Sequence, residues 1–491
     1  MEKPATTRSP WRRALYRLET RAGSSSLKAR WPLSALDNFL MGRPLAIAVI
    51  GLGKIGLPIA AQYASKGHRV IGGDINPEVV RAVSEGRSHI AEEPGLGDRV
   101  AEATSKGLLK ATQDTTAAVT GVDVVVVAVP LMTGADGAVD FRIIDDVTEK
   151  VGRGVQAGTL VIYETTVPLG TTRARLGPAL ERHSGLHIGK ELFLAFSPER
   201  VYSGRVFEDL TTYPKIVGGV DAESTTRACA FYTAVLDGQV TAVADAETAE
   251  FAKLAETTYR FVNIALADQL AVFGHERGVD IGQAFAAANS QPFSHIHEPG
   301  IGIGGHCIPV YPRFLLEGSQ DGTLSLIRAA QEADAEMPSI YLQWLSRALG
   351  GLRGKRVIVL GVSYRPDVKE TAFSAAFPVV AALRKEGAHA IVHDPLFSDQ
   401  ELADFGFEPI TLTRDTPADA VIVQAYHGQY RELDWDLFRG LRAVVDGRGA
   451  LPHGLFGQRG IAVISFAASP VDHGGPEVRE QQASRTPNVI G

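Results

Sequence analysis

An α/β fold with two doubly wound sheets joined by a long central helix is predicted by three features of this 491-residue sequence. Apolar strands alternate with helical patterns from residue 45 to about 210, and the same alternation returns from Gly354 onward. Between them, a proline-free stretch with helical spacing runs from Asp245 to Gly278. Continuous apolar runs such as Val124–Met132 are typical of parallel strands covered on both faces. The chain is long enough for two or three domains.

The first α/β unit opens with a strand, a glycine-rich turn and a helix. Leu45–Ile50 runs into "GLGKIG", a helical stretch follows, and the next strand ends at Asp74. In this G-x-G-x-x-G pattern Gly51 makes a tight turn, Gly53 lets a pyrophosphate approach the backbone, and Gly56 permits close packing of helix on strand. An acidic residue in the place of Asp74 accepts hydrogen bonds from ribose hydroxyls and repels a 2′-phosphate. The turn predicts a Rossmann-like domain that binds NAD rather than NADP, the alternative being a glycine turn without a ligand.

The middle of the chain predicts one long helix. Asp245 is a plausible N-cap and Gly278 a plausible end, which gives a helix roughly 50 Å long. A helix of that length connects two domains or builds a dimer interface. We expect an NAD-binding domain over residues 41–210 and a central helical domain over 211–350, with linkers near 211–244 and 320–353.

The second α/β unit begins with a strand at Gly354–Tyr364 and continues with a helix around Ala375–Gly387. Further strands are predicted at "AIVHDP", "DAVIVQA" and "RAVVDGRG". No glycine fingerprint follows the first strand. This domain, expected over residues 351–469, is therefore predicted to be Rossmann-like in its sheet but to have no dinucleotide site.

Composition excludes several classes of function. The net charge of −7 gives no basic field that would attract nucleic acid, and no apolar run reaches the roughly 18 residues of a membrane span. Two cysteines exclude a disulfide framework and indicate a reducing compartment, so a cytoplasmic protein is expected. No cysteine–histidine spacing suggests zinc, and no metal site is predicted. Residues 1–40, with Met41 as an alternative start, and 470–491 are expected to be a disordered extension and a mobile tail.

One cysteine lies in an unusual setting. "PGIGIGGHCIPVYP", from Pro299 to Pro312, places Cys307 directly after several glycines, which allow close backbone approach to a ligand. A lone buried cysteine is more often an inert apolar residue, and Cys229 in "TTRACAFYTA" fits that interpretation. Cys307 is therefore the candidate nucleophile. His306 could help to activate it, although a neighbour in sequence often points elsewhere.

Eight segments together resemble the UDP-glucose/GDP-mannose dehydrogenase family. In family order they are "IAVIGLGKIGLPIAAQYASKGHRVIGGDIN", "EPGL", "TTVPLGTT", "SPERV", "PKIVGG", "TAEFAKLAETTYRFVNIALA", "PGIGIGGHCIP" and "HDP". The resemblance covers about residues 45 to 450, and "SPERV" is more similar to members that act on UDP-N-acetylhexosamines than to those that act on UDP-glucose. It implies an NAD-dependent, four-electron oxidation of the primary alcohol of a nucleotide sugar to a carboxylate, by a homodimer.

The resemblance also implies roles for individual residues. It makes Cys307 the nucleophile that forms a thiohemiacetal and then a thioester, and Lys253 the residue that stabilises the developing alkoxide. It makes Glu199 a carboxylate that works through water and Thr166 a hydroxyl that helps to hold that water; Thr257 would be a donor one turn beyond Lys253. The implied cofactor residues are Gly51, Gly53, Ile55, Gly56, Asp74, Val129 and Thr166. The implied substrate residues are Glu199, Lys253, Gly304, Gly305, Arg365 and Arg448.

Four positions depart from the family pattern. Thr257 replaces an asparagine, Tyr311 an aspartate, and Phe293 and Ala372 replace arginines. These departures bear on the sugar that is bound and on hydrolysis of the thioester. Two alternatives therefore remain beside the four-electron enzyme: an oxidoreductase that stops at the aldehyde, and a catalytically silent nucleotide-sugar-binding paralogue.

Overall fold

The computed structural model describes residues 43–134, 138–319, 322–452 and 454–466, which form two compact units. The first unit takes the chain up to Thr257 together with Val310–Asp321, and the second takes Thr258–Pro309 and the chain from Gly322. The predicted extension over 1–40, the alternative start at Met41 and the predicted tail over 470–491 lie outside the described residues. Within the described residues, no helix is both long enough and apolar enough to cross a bilayer.

The first unit is built on an eight-stranded sheet. Its strands, together with a separate antiparallel hairpin of β5 and β6, are β1 Ala46–Ile50, β2 Arg69–Gly73, β3 Leu109–Thr112, β4 Val124–Val127, β5 Met132–Thr133, β6 Val139–Asp140, β7 Leu160–Tyr163, β8 Phe193–Phe196, β9 Lys215–Gly219 and β10 Val240–Ala242. The sheet order is β10-β9-β8-β7-β4-β1-β2-β3. All neighbours pair in parallel except β8 and β9. Starting from β3, the six strands up to β8 have the doubly wound order expected for a dinucleotide-binding sheet.

Helices cover both faces of this sheet. They are Gly56–Ser65, Pro77–Ser84, Leu96–Ser105, Thr115–Val119, Arg142–Gly154, Gly177–Ser184, Val206–Thr212, Ala222–Val235 and Tyr311–Glu317, with one π-helical turn at Thr172–Leu176. The four valines of β4 are completely buried, as are the four residues of β7. Side chains that alternate along these strands belong to two different apolar clusters, one on each face. The predicted parallel sheet covered on both faces is confirmed.

Residues 211–244 are not a linker. β9, β10 and the helix between them extend the first sheet past β8. The sequence prediction missed them because β9 ends in two glycines and β10 has only three residues, so neither gives a strong strand pattern. Residues 320–353 are likewise occupied mainly by a helix, Ser325–Leu349, rather than by a linker.

The predicted long helix is present as Ala246–Glu276. Asp245 caps it, because its Oδ1 accepts the backbone N–H of Thr248 at 2.8 Å. Beyond the helix, Gly278 has a φ of 69°, a conformation that glycine adopts readily. The start and end predicted from the sequence are thus correct to within two residues.

The second unit carries a five-stranded parallel sheet in the order β12-β11-β14-β16-β17. Its strands, with β13 and β15 forming a separate pair, are β11 Arg356–Leu360, β12 His389–His393, β13 Thr416–Pro417, β14 Ala420–Val423, β15 Phe438–Arg439, β16 Ala443–Asp446 and β17 Ala462–Ser465. Its helices besides the long one are Ile281–Ala288, Ser325–Leu349, Ala376–Lys385, Asp399–Asp404 and Gly454–Gly457, with 3-10 turns at Gly428–Glu432 and Trp435–Leu437. The predicted doubly wound second sheet is confirmed, and β17 is an additional strand.

Candidate active site

The glycine turn after β1 has the geometry that the sequence predicts. Gly51 has a φ of 93°, and a Cβ there would lie 2.8 Å from the carbonyl O of Ala128. A Cβ on Gly56 would lie 1.7 Å from the carbonyl O of Gly51, so the helix can pack on the strand only through a glycine. Gly53 differs, because its Cβ position has no heavy atom within 4 Å. The first and third glycines are required by the fold, whereas the second leaves open space beside the turn.

Asp74 lies directly after β2 and fixes this turn. Its Oδ2 accepts the backbone N–H of Leu52 at 2.8 Å, and its Oδ1 accepts the N–H of Asn76 at 2.8 Å. The side chain is only partly buried. Each carboxylate oxygen can accept a further hydrogen bond, so Asp74 can both hold the turn and bind a hydroxyl.

The helix that starts at Gly56 completes an anion site. No side chain caps its N-terminus, and no acidic residue lies in its first turn. Ile55 immediately precedes this helix, and Val129 is buried close to Gly51, with its carbonyl accepting the Thr165 hydroxyl at 2.6 Å. An uncapped helix N-terminus, open space at Gly53 and a carboxylate after the second strand fit the pyrophosphate and ribose of a dinucleotide.

Glu199 is held in one orientation at the end of the "SPER" segment. Its Oε1 accepts the backbone N–H groups of Arg200 and Val201 at 2.6 and 3.2 Å, and its Oε2 is 2.7 Å from the Nζ of Lys215. Burial opposes ionisation of this carboxyl. The charge and hydrogen bond of Lys215, the Arg200 N–H and the charge of Lys253 nevertheless hold the pKa of Glu199 below its ordinary value. Glu199 is therefore a carboxylate near neutral pH.

A second carboxyl shares Lys215. Glu164 follows β7, and its Oε1 lies 3.1 Å from the Nζ of Lys215 and accepts the Tyr232 hydroxyl at 2.5 Å. Burial raises the pKa of Glu164 to about 7, the negative charge of Glu199 acts in the same direction, and Lys215 opposes both. The sequence prediction did not identify Glu164 or Lys215 as site residues. The available signal was a glutamate directly after a fully apolar strand.

The long helix contacts the "SPER" segment and the segment after β7. Glu256 Oε2 lies 2.7 Å from the Nε of Arg200, and the buried Glu250 accepts the N–H groups of Gly170 and Thr172 at 2.5 and 2.8 Å. Lys253 lies between these two glutamates in sequence and is half-buried. These contacts hold the start of the helix against the carboxyl ends of the strands, beside Glu199.

Thr257 has a different environment from the one that was predicted. Its hydroxyl donates to the backbone carbonyl of Lys253 at 3.0 Å. A hydroxyl has one proton, so Thr257 in this rotamer has no donor left for a substrate oxygen. Thr166 is buried in the segment after β7.

In the second unit, the glycine loop before Cys307 is held by four segments of the chain. Asp268 Oδ1 accepts the N–H of Gly300 at 2.8 Å, and Asp334 Oδ1 accepts the N–H of Ile303 at 2.9 Å. Two carbonyls complete the set, Gly447 O accepting from Ile301 N at 3.1 Å and Ala372 O accepting from Gly305 N at 2.8 Å. Four N–H groups between Gly300 and Gly305 are thus bonded to separate segments, which fixes the path of the loop up to Gly305, two residues before the cysteine.

The two cysteines have opposite environments. Cys307 is exposed, whereas Cys229 is buried and burial raises its pKa to about 12. Only a thiolate is strongly nucleophilic, so Cys229 is unreactive, as predicted. The imidazole Nε2 of His306 contacts the carboxylate of Glu370. That ion pair gives His306 a partner other than the thiol.

The predicted substrate residues of the second unit mostly contact the protein. Arg448 donates from Nε to Gln424 O at 2.8 Å and from Nη1 to Gly302 O at 3.3 Å, so it helps to fix the glycine loop. Arg365 donates from Nε to the Tyr364 hydroxyl at 3.0 Å and is partly exposed. A Cβ on Gly304 or Gly305 would lie 2.7 or 3.1 Å from Tyr364, so these glycines allow that ring to pack on the loop.

The positions that depart from the family pattern lie in dissimilar surroundings. Phe293 is 91% exposed. Tyr311 packs on Phe314, with the ring centroids 5.5 Å apart, next to the buried Leu254. The carbonyl of Ala372 accepts the Gly305 N–H in the glycine loop. Among the residues that the structure describes, no group of three metal-ligating side chains is present.

Comparison with known proteins identifies the domains in chain order. Residues 45–236 match the NAD binding domain of the UDP-glucose/GDP-mannose dehydrogenase family, residues 247–336 its central domain, and residues 358–453 its UDP binding domain. The UDP-N-acetyl-D-mannosamine dehydrogenase of Pyrococcus horikoshii is 33% identical over 83% of this chain and 96% of that protein. The NDP-N-acetyl-D-galactosaminuronic acid dehydrogenase of Ralstonia solanacearum is 32% identical over 82% of this chain and 95% of that protein.

Solved structures of similar proteins have the same fold. The structure of UDP-D-ManNAc dehydrogenase from Pyrococcus horikoshii matches with a TM-score of 0.76 at 31% identity, covering 87% of this chain and all of that one. NDP-N-acetyl-D-galactosaminuronic acid dehydrogenase from Methanosarcina mazei also gives a TM-score of 0.76, at 28% identity, covering 90% and 99% of the two chains. These matches extend over both units.

Proposed function

Because this chain belongs to the UDP-glucose/GDP-mannose dehydrogenase family and is an NAD-dependent nucleotide-sugar dehydrogenase, we propose that it oxidises carbon 6 of a UDP-N-acetylhexosamine to the uronic acid. Relatives at 32–33% identity are named for N-acetylmannosamine and N-acetylgalactosaminuronic acid, which supports an N-acetylated sugar over UDP-glucose. The product is a charged sugar donor of the kind used in polysaccharide synthesis, and we propose a cytoplasmic reaction.

Gly51, Gly53, Gly56 and Asp74 would hold NAD, which would supply a hydride acceptor for each of the two oxidations. An aldehyde releases a second hydride efficiently only after a nucleophile has made its carbon tetrahedral. In the proposal, the Cys307 thiolate adds to the aldehyde to form a thiohemiacetal; the second oxidation leaves a thioester, which water hydrolyses. The observation that carries this role is the contrast between the exposed Cys307, after a loop fixed by hydrogen bonds, and the buried, weakly acidic Cys229.

The remaining roles follow from charge and environment. Lys253 is assigned to the oxygen that develops negative charge, because a cation there stabilises the transition state more than the ground state. Glu199, an oriented carboxylate with a lowered pKa, is assigned to a water molecule from which it takes a proton, and Thr166 is assigned to hold that water. Thr257 supports the helix backbone at Lys253 rather than the substrate.

A homodimer is also proposed. Tyr259, Leu266, Leu270 and Phe273 lie at heptad-like spacing along one side of the long helix, and each is between 41% and 61% exposed. An apolar stripe of this kind on a helix is typical of a helix–helix interface. The occupant that we propose is the same helix of a second copy, which light scattering would detect as a doubled mass.

The function is tested by counting NADH per nucleotide sugar in a panel of UDP-N-acetylhexosamines and UDP-glucose. We expect two NADH and one uronic acid for the substrate. Cys307→Ser should abolish acid formation while leaving NAD affinity within about twofold, and Cys229→Ser, the matched control, should retain the acid yield. One NADH per substrate would favour the oxidoreductase that stops at the aldehyde. Absence of NAD reduction across the panel would favour the silent nucleotide-sugar-binding paralogue.

A further inference from the structure

Two carboxyl groups share one ammonium group inside the first unit. Lys215 Nζ lies 2.7 Å from Glu199 Oε2 and 3.1 Å from Glu164 Oε1. All three side chains are at most 10% exposed. With both carboxyls ionised, this buried group carries one uncompensated negative charge, which is costly away from water. We therefore expect one of the two carboxyls to be protonated.

The hydrogen bonds distinguish the two carboxyls. Glu199 uses both oxygens, accepting two backbone N–H groups on Oε1 and Lys215 on Oε2. Glu164 accepts the Tyr232 hydroxyl at 2.5 Å and the Tyr63 hydroxyl at 3.5 Å, both on Oε1. Its Oε2 is buried without a hydrogen-bond partner among the described residues. A charge is thus supported on both oxygens of Glu199 but, with Lys215 and both tyrosines on Oε1, on only one oxygen of Glu164, where an added proton is more readily tolerated.

The two carboxyls also differ in access to solvent. A surface cleft is lined by Glu199 and Lys215, together with Pro198, Arg200, Val201, Asp209, Leu210, Tyr213, Pro214 and Leu236; Glu164 is not among its lining residues. The Glu164 side chain is 1% exposed and contacts Lys215, Tyr63 and Tyr232. Lys215 contacts both carboxyls, so a proton that enters at Glu199 has a path to Glu164 through Lys215.

We propose that Glu164 is the internal proton acceptor for Glu199, with Lys215 as the bridge between them. This rests on the proposed function, in which Glu199 takes a proton from water. The protonated Glu199 Oε2 then gives its proton to Lys215 Nζ as Lys215 gives one of its own to Glu164 Oε1. Glu199 returns to a carboxylate, Lys215 remains an ammonium and Glu164 becomes a neutral acid, so protons and charge balance. Glu164 is a positioning residue that acts through Glu199.

The direction of the pH dependence follows. Glu164 can accept a proton only when it is ionised, so turnover should rise with pH through the pKa of about 7 that burial gives it. The charged and titratable groups that face Glu164 are Lys215 from β9, Glu199 after β8, Tyr63 from the helix Gly56–Ser65 and Tyr232 from the helix Ala222–Val235. Both tyrosines have pKa values raised by burial, so they stay protonated across this range.

Glu164→Gln tests the relay, because glutamine keeps the shape and an oxygen for Tyr232 but cannot take a proton. We expect kcat to fall roughly 10-fold or more with KM within twofold, and the rise of kcat between pH 6 and 8 to disappear. The spectroscopic test is made on an Asp268→Asn background, because burial also raises the pKa of Asp268 to about 7. In that cofactor-free protein, infrared spectroscopy should show a protonated-carboxyl band that is lost with a midpoint near pH 7. That band should be absent when Glu164→Gln is added.

Two further variants keep the test decisive. Glu93→Gln, at a buried carboxylate that accepts the N–H groups of Gly204 and Val206, should retain both the pH profile and the infrared band. Tyr232→Phe removes a donor to Glu164 and should move the midpoint of the band to higher pH, even if Glu164→Gln folds poorly. An unchanged pH profile in Glu164→Gln, or a band that persists when Glu164→Gln is added to the Asp268→Asn protein, would overturn the relay. Failure of the proposed function is read separately, as one NADH per substrate in the unaltered protein.

Discussion

The turns that follow the first strand of each sheet have the same backbone hydrogen bonds but different surroundings. After β1, Gly51 N donates to Gly73 O at 2.8 Å, and after β11, Gly361 N donates to His393 O at 2.8 Å. The two glycines have φ values of 93° and 88°. A Cβ on either would collide with a carbonyl of the neighbouring strand's extension. Each turn is thus built from the same local constraint.

The acidic residue at the end of the second strand is also repeated. Asp74 Oδ2 accepts Leu52 N at 2.8 Å, and Asp394 Oδ2 accepts Val362 N at 2.6 Å. Asp394, however, is 3% exposed and also accepts the Nε2–H of the buried His427 at 3.0 Å. His427 Nδ1 accepts the N–H of Asp367, which fixes the proton on Nε2.

The difference lies in the partner of the carboxylate. In the first unit Asp74 is partly open and Gly53 leaves free space, so a dinucleotide can bind. In the second unit the imidazole of His427 is hydrogen-bonded to the Asp394 carboxylate, and no second glycine follows Gly361 in the turn. We therefore expect the same fold position to be a binding site in one sheet and a structural anchor in the other, in line with the matches to an NAD binding and a UDP binding domain.

The largest expected effect comes from Gly56→Ala. Its Cβ would lie 1.7 Å from a backbone oxygen that cannot move without shifting β1, so we expect a loss of at least about 3 kcal/mol in the free energy of unfolding of the first unit. NAD binding should be lost with it. Urea unfolding followed by circular dichroism measures the change.

Gly53→Ala is the matched control, because its Cβ meets no protein atom within 4 Å. Stability should change by less than about 0.5 kcal/mol, while NAD affinity should fall roughly 10-fold because the methyl group occupies the space left for the pyrophosphate. Equal losses of stability in the two variants would contradict the division between a packing glycine and a binding glycine.

Asp394→Ala should separate the two turns by stability. It leaves His427 buried without its partner and removes the acceptor of Val362 N, so we expect a loss of about 3 kcal/mol in the free energy of unfolding with NAD affinity unchanged.

Asp74→Ala should cost only about 1 kcal/mol of stability but weaken NAD binding roughly 10-fold and reduce the preference for NAD over NADP. Calorimetry of NAD and NADP binding measures the second pair of effects. A loss of NAD binding in Asp394→Ala would break the comparison.

Local sequence patterns predicted the turn after β1 and part of the turn after β11. The glycine pattern, Asp74, the long helix and the setting of Cys307 could be read from neighbouring residues, because each depends on local backbone geometry. Glu164 and Lys215 could not be identified in this way. In the sequence, Glu164 has the pattern of a polar residue at the end of a strand, and Lys215 has that of an exposed residue at the start of one. Only folding brings the two side chains together. His427 and Asp394 are likewise brought together only by the second sheet.

In the second unit, Asp394 and Asp268 are both buried carboxyls, but their hydrogen-bond partners differ. His427 and the N–H of Val362 hold the pKa of Asp394 below its ordinary value despite burial. Asp268 has only the N–H of Gly300 on Oδ1, and its Oδ2 is buried without a hydrogen-bond partner among the described residues. Burial raises the pKa of Asp268 to about 7; the charge of Asp334 adds to this, and the Gly300 N–H and Arg448 oppose it.

The native state therefore binds a proton at Asp268 between about pH 4 and 7 that the unfolded chain has released, and the stability contributed by this group is lost as pH rises through 7. Asp268→Asn keeps an oxygen for Gly300 N and removes the titration. Relative to the unaltered protein, the variant should be more stable at pH 8 than at pH 5 by about 2–3 kcal/mol, as measured by urea unfolding. Asp394→Asn should show the opposite trend below pH 4, because a lowered pKa gives stability that is lost as pH falls. A difference between Asp268→Asn and the unaltered protein that does not change with pH would show that Asp268 is ionised in the folded chain, with hydrogen-bond donors that support its charge as His427 Nε2–H and Val362 N–H support that of Asp394.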